Sequence, residues 1–232
     1  MTIHDAAATA ALLPYPALAE AIARVLGLAA LGEARAPKRL HMELPGGGTL
    51  LLMPAQGAEL TVVKLVTVHP HNPGQGLLAI QGEVVVMETA TGRRLGVLDG
   101  ATLTARRTAA LSLLAARHLA PNPSGPLLVI GAGAQARAHV EAFAEGLGVK
   151  EVAIHSRTAE SAERLAAHAR SLGLKAGAVA EPAQVMDACP LVVTATTSTC
   201  PVLPPRLRSD AFLAAVGAFT PAMCELPPAL VR

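Results

Sequence analysis

The chain has 232 residues, 52% hydrophobic and 2% aromatic, with a formal net charge of +2, so its core must be built from Ala, Leu and Val rather than rings. That length suits one large or two modest domains. No uninterrupted apolar run approaches the roughly 18 residues of a membrane span, the first residues lack the basic and apolar regions of a signal peptide, and the scattered basic residues without interleaved aromatics argue against a nucleic-acid partner.

In chain order, residues 15–31 carry Ala and Leu at helical spacing, which predicts a helix ending before a break at 32–38. From 39 to 98 the texture turns β-like, with short runs at 48–53, 60–68, 77–80 and 84–88. Turn signals divide them at Pro45-Gly46-Gly47-Gly48, His71-Asn72-Pro73-Gly74 and Thr91-Gly92. Residues 102–119 are again Ala/Leu-rich and predict a helix, and the Pro/Gly/Ser-rich stretch 121–126 reads as a linker separating domains at 1–120 and 121–232.

Beyond the linker, strand and helix signals alternate. Strands are expected at 127–130, 152–155, 176–179, 191–195 and 212–216, with helices at 135–145 and 159–172. Repeated strand–helix units predict an α/β fold with a parallel sheet and right-handed crossovers. His118, His139 and His168 fall on helices and are expected at a surface or an interface, and His69 and His71 read as loop residues, since no third ligand marks a metal site. Cys189, Cys200 and Cys224 form no metal-ligand spacing or CxxC pair, which predicts reduced thiols in a cytoplasmic protein.

Gly131-Ala132-Gly133-Ala134-Gln135-Ala136 fits GxGxxG/A between an apolar strand and a helix, the order a dinucleotide-binding turn requires. Gly131 permits the tight turn, Gly133 lets a pyrophosphate approach the backbone, and Ala136 lets helix and strand pack closely. Ala134 and Gln135 open a helix whose unpaired N–H groups favour phosphate. An Asp or Glu at the end of the second strand would grip the ribose hydroxyls of NAD, but here the string is Ser156-Arg157-Thr158. A hydroxyl beside a guanidinium suits the extra phosphate of NADP, so NADPH is the expected cofactor; the alternative is that Arg157 is a solvated surface residue. Thr196, in the polar turn after the 191–195 strand, and Val216, ending the 212–216 strand, are the remaining candidate cofactor contacts.

Three segments together resemble the ornithine cyclodeaminase/mu-crystallin family. They are Lys64-Leu65-Val66-Thr67-Val68 through Asn72-Pro73, then Leu98-Asp99-Gly100 through Arg106-Arg107-Thr108-Ala109-Ala110, then the glycine turn with its preceding Val129-Ile130. The resemblance implies a smaller α+β domain for substrate binding and homodimer formation, followed by a Rossmann-type doubly wound parallel sheet. It also implies that the C-terminal part of the family fold lies outside this chain, and so leaves activity of the chain as given in doubt. Carried over residue by residue, the ligands of the substrate carboxylate match Arg39, Lys64 and Arg107, with Lys64 and Arg107 as the catalytic pair. Two guanidiniums and an ammonium neutralise and orient a small amino- or imino-acid carboxylate.

One departure narrows the reading. The family's cyclodeaminases place an Asp two residues after the glycine that ends the last Rossmann strand, and here that position is Phe219, with Met223 where they have a Lys. A phenyl ring accepts no proton. The resemblance is therefore greatest to the family's bacterial ketimine reductases, which act on pyrroline- or piperideine-2-carboxylate. Two other readings compete. A cyclodeaminase-like lyase with bound NAD is disfavoured by Phe219 and by the missing acid after the second strand, and a non-catalytic, crystallin-like nucleotide-binding protein remains.

Overall fold

The computed structural model describes residues 1–231, with Pro73 described by its backbone alone; Arg232, the end of the expected second domain, lies outside the described residues. The chain forms two compact units, one from Met1 to Ala105 and one from Arg106 onward. Their division falls inside the helix α3 (Gly100–Leu119) rather than at 120/121. The proline- and glycine-rich stretch ends that helix, and a helix end need not be a domain boundary.

In the first unit, β1 (Thr2–His4) leads into α1 (Ala6–Leu12) and α2 (Tyr15–Ala30). A meander follows: β2 (Leu40–Leu44), β3 (Gly48–Gln56), β4 (Leu60–Val68), β5 (Ile80–Glu88) and β6 (Arg94–Asp99). The sheet order is β1-β6-β5-β4-β3-β2, with β1 parallel to β6 and the other neighbours antiparallel. Val, Leu and Thr dominate the long strands, as a pleated and half-buried surface favours. Of the strand expected at 77–80 only Ile80 is in the sheet; β5 runs from it to Glu88, because Gly82, which interrupts the apolar texture, still pairs with Val66 in the ladder. β1, α1, β2 and β6 were not legible as elements. β1 has only three residues and β2 is mostly exposed, so neither carries a clear period of its own.

α3 opens on a side-chain cap, in which the Thr102 amide donates to Asp99 Oδ1 at 2.7 Å. In the second unit its Ala109, Ala110, Leu113 and Ala116 are fully buried, a stripe at helical spacing. The sheet of this unit contains β7 (Leu127–Ile130), β8 (Glu151–His155), β9 (Lys175–Ala178), β10 (Leu191–Thr194) and β11 (Phe212–Ala215). All pairings are parallel and the order is β11-β10-β7-β8-β9, the doubly wound Rossmann arrangement expected. The unbroken Leu-Leu-Val-Ile of β7 takes the centre, where both faces are covered. α4 (Ala134–Leu147) and α5 (Ala159–Ser171) make the first two crossovers. Later connections are short 3₁₀ turns and coil, which lay Met186, Cys189 and Leu203 over Leu128, Ile130 and Val192.

One expectation is overturned here. His139 is not at a surface: it is 0% exposed, wedged between α4 and α3. Its Nδ1–H donates to the Gln135 carbonyl at 2.7 Å, which leaves Nε2 to accept the Ser112 hydroxyl at 2.9 Å, so the ring is neutral. Burial pushes its pKa down to about 4, partly countered by the bond to the Gln135 carbonyl. Because the unfolded chain binds the proton more readily, this group stabilises the fold above about pH 6.5. That contribution is lost as pH falls towards about 4 and amounts to roughly 3 kcal/mol at most. Chemical denaturation between pH 7 and 5 is expected to show a steeper loss of stability for the wild type than for His139→Gln, which has nothing to titrate there. Equal slopes would remove His139 as the cause.

Candidate functional site

The C-terminal ends of β7, β8, β10 and β11 bring most of the expected cofactor residues to one edge of the sheet. At the end of β7 the chain turns at Gly131, whose φ is +114°, a region L side chains avoid. A Cβ there would lie 2.4 Å from the Ala195 carbonyl oxygen, so the loop from β10 presses directly against this turn. Gly133 is the reverse case: a Cβ would meet nothing within 4 Å. It is the N-cap of α4 and no side chain caps it, so the first turn of a 14-residue helix presents its amides to open space. Gly133 and Ala134 are exposed, while Ala136 is fully buried against the sheet.

These residues fit a dinucleotide's phosphates, and two further atoms agree. Among the described residues, Gln135 Oε1 and Thr194 Oγ1 are buried without a hydrogen-bond partner, one in the glycine turn and one at the end of β10. Buried orphans of this kind mark polar positions that another group completes.

At the end of β8, Ser156 is half-buried and Arg157 exposed, and the guanidinium has no hydrogen bond or ion pair among the described residues. Thr158 is the N-cap of α5, where its Oγ1 accepts the Ser161 amide at 3.3 Å, so its hydroxyl already has a structural task. Thr196 is engaged as well. Its amide and hydroxyl both donate to Glu225 Oε1, at 2.7 and 2.8 Å. The Val216 amide donates to the Thr194 carbonyl at 2.9 Å and extends the sheet.

Glu225 escaped the reading of the sequence. It is 3% exposed, and its second oxygen accepts the Gly217 amide at 2.7 Å. The available signal was a lone acid in the run Met223-Cys224-Glu225-Leu226-Pro227, since a carboxylate in an apolar stretch is buried only when it is paired. Phe219, at the position of the cyclodeaminase acid, is 60% exposed.

The expected carboxylate ligands divide between the units. Within the first, Lys64 lies on β4 directly opposite Met53 of β3 and Val84 of β5, and its Nζ donates to Thr104 Oγ1 near the start of α3 at 3.4 Å. Directly opposite residues share a face. Arg39 immediately precedes β2, whose first ladder pair is Leu40 with Leu52, and so lies just outside the sheet. The 440 Å³ cavity of this unit, lined by Arg35, Pro37, Pro54, Gln56 and Thr61 among others, contains neither cation. In the second unit, Arg107 is exposed and has no ionic or hydrogen-bond partner among the described residues. Its neighbour Arg106 is paired instead, with Glu141 at 3.8 Å. Desolvation by the surrounding protein lowers the Arg107 pKa although the side chain is exposed, yet a guanidinium stays charged at any physiological pH.

Comparison with known proteins gives the family and the fold. Residues 2–232 match the model of the ornithine cyclodeaminase/mu-crystallin family. The chain is 40% identical over 235 residues to Delta(1)-pyrroline-2-carboxylate reductase 1 of Burkholderia multivorans, covering 99% of this chain and 74% of that protein. Among solved structures it is similar to the Delta(1)-pyrroline-2-carboxylate reductase of Thermococcus litoralis in complex with NADH and L-proline. The TM-score is 0.92 at 25% identity, over 100% of this chain and 73% of that one. An archaeal alanine dehydrogenase dimer with bound NAD superposes with a TM-score of 0.89 at 27% identity, over 98% of this chain and 70% of that one.

Proposed function

The chain belongs to the ornithine cyclodeaminase/mu-crystallin family, and we propose that it reduces a cyclic ketimino acid with NADPH, converting 1-pyrroline-2-carboxylate to L-proline or 1-piperideine-2-carboxylate to L-pipecolate. The observation that carries this reading is the phosphate turn, with Gly131 pressed against the β10 loop and Gly133 open before an uncapped helix. A bound nicotinamide dinucleotide supplies the hydride, a step no side chain performs.

The chain's own residues bind and orient. Arg107 brings a planar guanidinium, unpaired among the described residues, that grips a carboxylate through two parallel hydrogen bonds. The family resemblance adds Arg39 and Lys64 as carboxylate ligands, and a fixed carboxylate fixes the adjoining C=N carbon. Of the three cations, Lys64 is the one able to release a proton, and in this reading it delivers the proton that the imine nitrogen takes up. The substrate ring already holds its nitrogen, so no ammonia or water need leave, and an exposed phenyl at Phe219 in place of an acid is no obstacle.

The preference for NADPH rests on Ser156 and Arg157; the Thermococcus litoralis relative was solved with NADH. The test is to follow reduced-cofactor absorbance with 1-pyrroline-2-carboxylate, using NADPH and NADH in parallel. Faster oxidation of NADPH is expected, equal rates would remove the preference, and no oxidation of either would overturn the reductase reading. Arg157→Asp replaces a phosphate ligand with a repelling charge, and is expected to move the NADPH/NADH ratio of kcat/KM towards NADH by roughly 100-fold. An unaltered ratio would assign Arg157 to the solvated surface.

A further inference from the structure

The structure assigns to Glu225 the role of a positioning residue: its carboxylate clamps the ends of β10 and β11 together and so shapes the nicotinamide half of the dinucleotide crevice. This inference rests on the dinucleotide reading above.

Three donors converge on this one side chain. Oε1 takes the Thr196 amide at 2.7 Å and the Thr196 hydroxyl at 2.8 Å, and Oε2 takes the Gly217 amide at 2.7 Å. The strand ends it joins are pressed close. A Cβ on Gly217 would lie 2.0 Å from the Thr196 carbonyl oxygen and 2.5 Å from the Thr196 nitrogen and from Glu225 Oε1. Only a glycine backbone allows this approach, and the carboxylate fills the position beside it. The main chain of the same segment adds to the clamp, with Val202 N donating to the Glu225 carbonyl and Cys224 N to the Ser198 carbonyl.

The location decides what the clamp acts on. In a doubly wound sheet a dinucleotide lies across the carboxyl ends of the strands, one mononucleotide on each side of the switch point. The phosphate turn and Ser156-Arg157 belong to the β7-β8-β9 side, which takes the adenosine half. Thr196 and Gly217 follow directly after the ends of β10 and β11 on the other side, which takes the nicotinamide half. Glu225 is not a replacement for the acid missing at Phe219, since it is 3% exposed and both oxygens are occupied by protein donors. It acts through the backbone it holds.

Glu225→Gln keeps the shape but turns one oxygen into an N–H donor facing another donor, so at least one of the three bonds is lost. The chain has no Trp, so binding is best read by calorimetry rather than by protein fluorescence. In the full chain, Glu225→Gln is expected to weaken NADPH binding at least tenfold while binding 2′-phospho-ADP-ribose, a probe of the adenosine half, within about twofold of wild type. Unchanged NADPH affinity in the folded variant, or equal losses for both probes, would overturn the clamp. A second measurement needs no variant: the Thr196 and Gly217 amides of the cofactor-free wild type are expected to exchange slowly with deuterated solvent, and rapid exchange of both would also overturn it. Wild-type protein that bound neither probe would overturn the dinucleotide reading itself, and this inference with it.

Discussion

Arg107→Ala is expected to lower kcat/KM for 1-pyrroline-2-carboxylate by roughly two to three orders of magnitude, with NADPH affinity unchanged. Hydrogen bonds to a charged partner contribute roughly 1.5–3 kcal/mol each, and a guanidinium offers two to a carboxylate in a fixed fork. Two such bonds from one rigid group are not fully additive, so the total lost lies at the low end of the summed range, roughly 3–4 kcal/mol, and each 1.4 kcal/mol is a factor of ten. Stability should barely change, because this side chain is exposed and has no partner among the described residues. Arg107→Lys should recover only part of the loss, since a point charge cannot reproduce the fork. Arg106→Ala is the contrast, because Arg106 is held by Glu141 and is not a proposed ligand. Steady-state kinetics with the ketimine and calorimetry with NADPH separate the two functions. An Arg107→Ala enzyme with wild-type kcat/KM would take Arg107 out of the substrate pocket.

Gly131→Ala should cost both the fold and the cofactor, whereas Gly133→Ala should cost only the cofactor. At Gly131 an alanine must hold a φ of +114° while its methyl carbon sits 2.4 Å from the Ala195 carbonyl oxygen and 2.9 Å from its carbon. The strain alone is roughly 1–3 kcal/mol, and the backbone that must move belongs to the loop after β10. A loss of about 3 kcal/mol or more follows, or a melting temperature lower by roughly 6–12 °C for a chain of this size, with NADPH binding abolished. At Gly133 the backbone is extended (φ −84°) and the space is open. There the methyl should change stability by no more than about 0.5 kcal/mol. It would occupy the space through which a pyrophosphate approaches the amides, and NADPH affinity should fall at least about tenfold. Thermal melts and calorimetry on the pair decide the matter. If Gly133→Ala binds NADPH as tightly as wild type, the turn does not cradle a pyrophosphate.

Contiguous strings made part of this protein legible before any coordinates. The apolar Leu-Leu-Val-Ile before Gly131, the spacing Gly131-x-Gly133-x-x-Ala136 and the alternating strands and helices determined a Rossmann half and the place of its phosphate turn, because the chemistry of such a turn is written in neighbouring residues. The segment ending Arg106-Arg107-Thr108-Ala109-Ala110 determined the family, and the substitution at Phe219 narrowed the reaction. Contacts between residues far apart in the chain were decided only by the tertiary structure. Thr196 meets Glu225 across 29 positions and Ser112 meets His139 across 27. No local period records such pairs, so Glu225 went unnoticed and His139 was expected at a surface or an interface. Thr158 and Thr196 carried the composition of ligand residues, but folding commits their hydroxyls to a helix cap and to the Glu225 carboxylate. Strand register, likewise a long-range property, set Lys64 beside Met53 and Val84 and left Arg39 just outside the ladder. Local sequence specifies which groups a backbone can present, and only packing determines which of them are already engaged by another part of the chain.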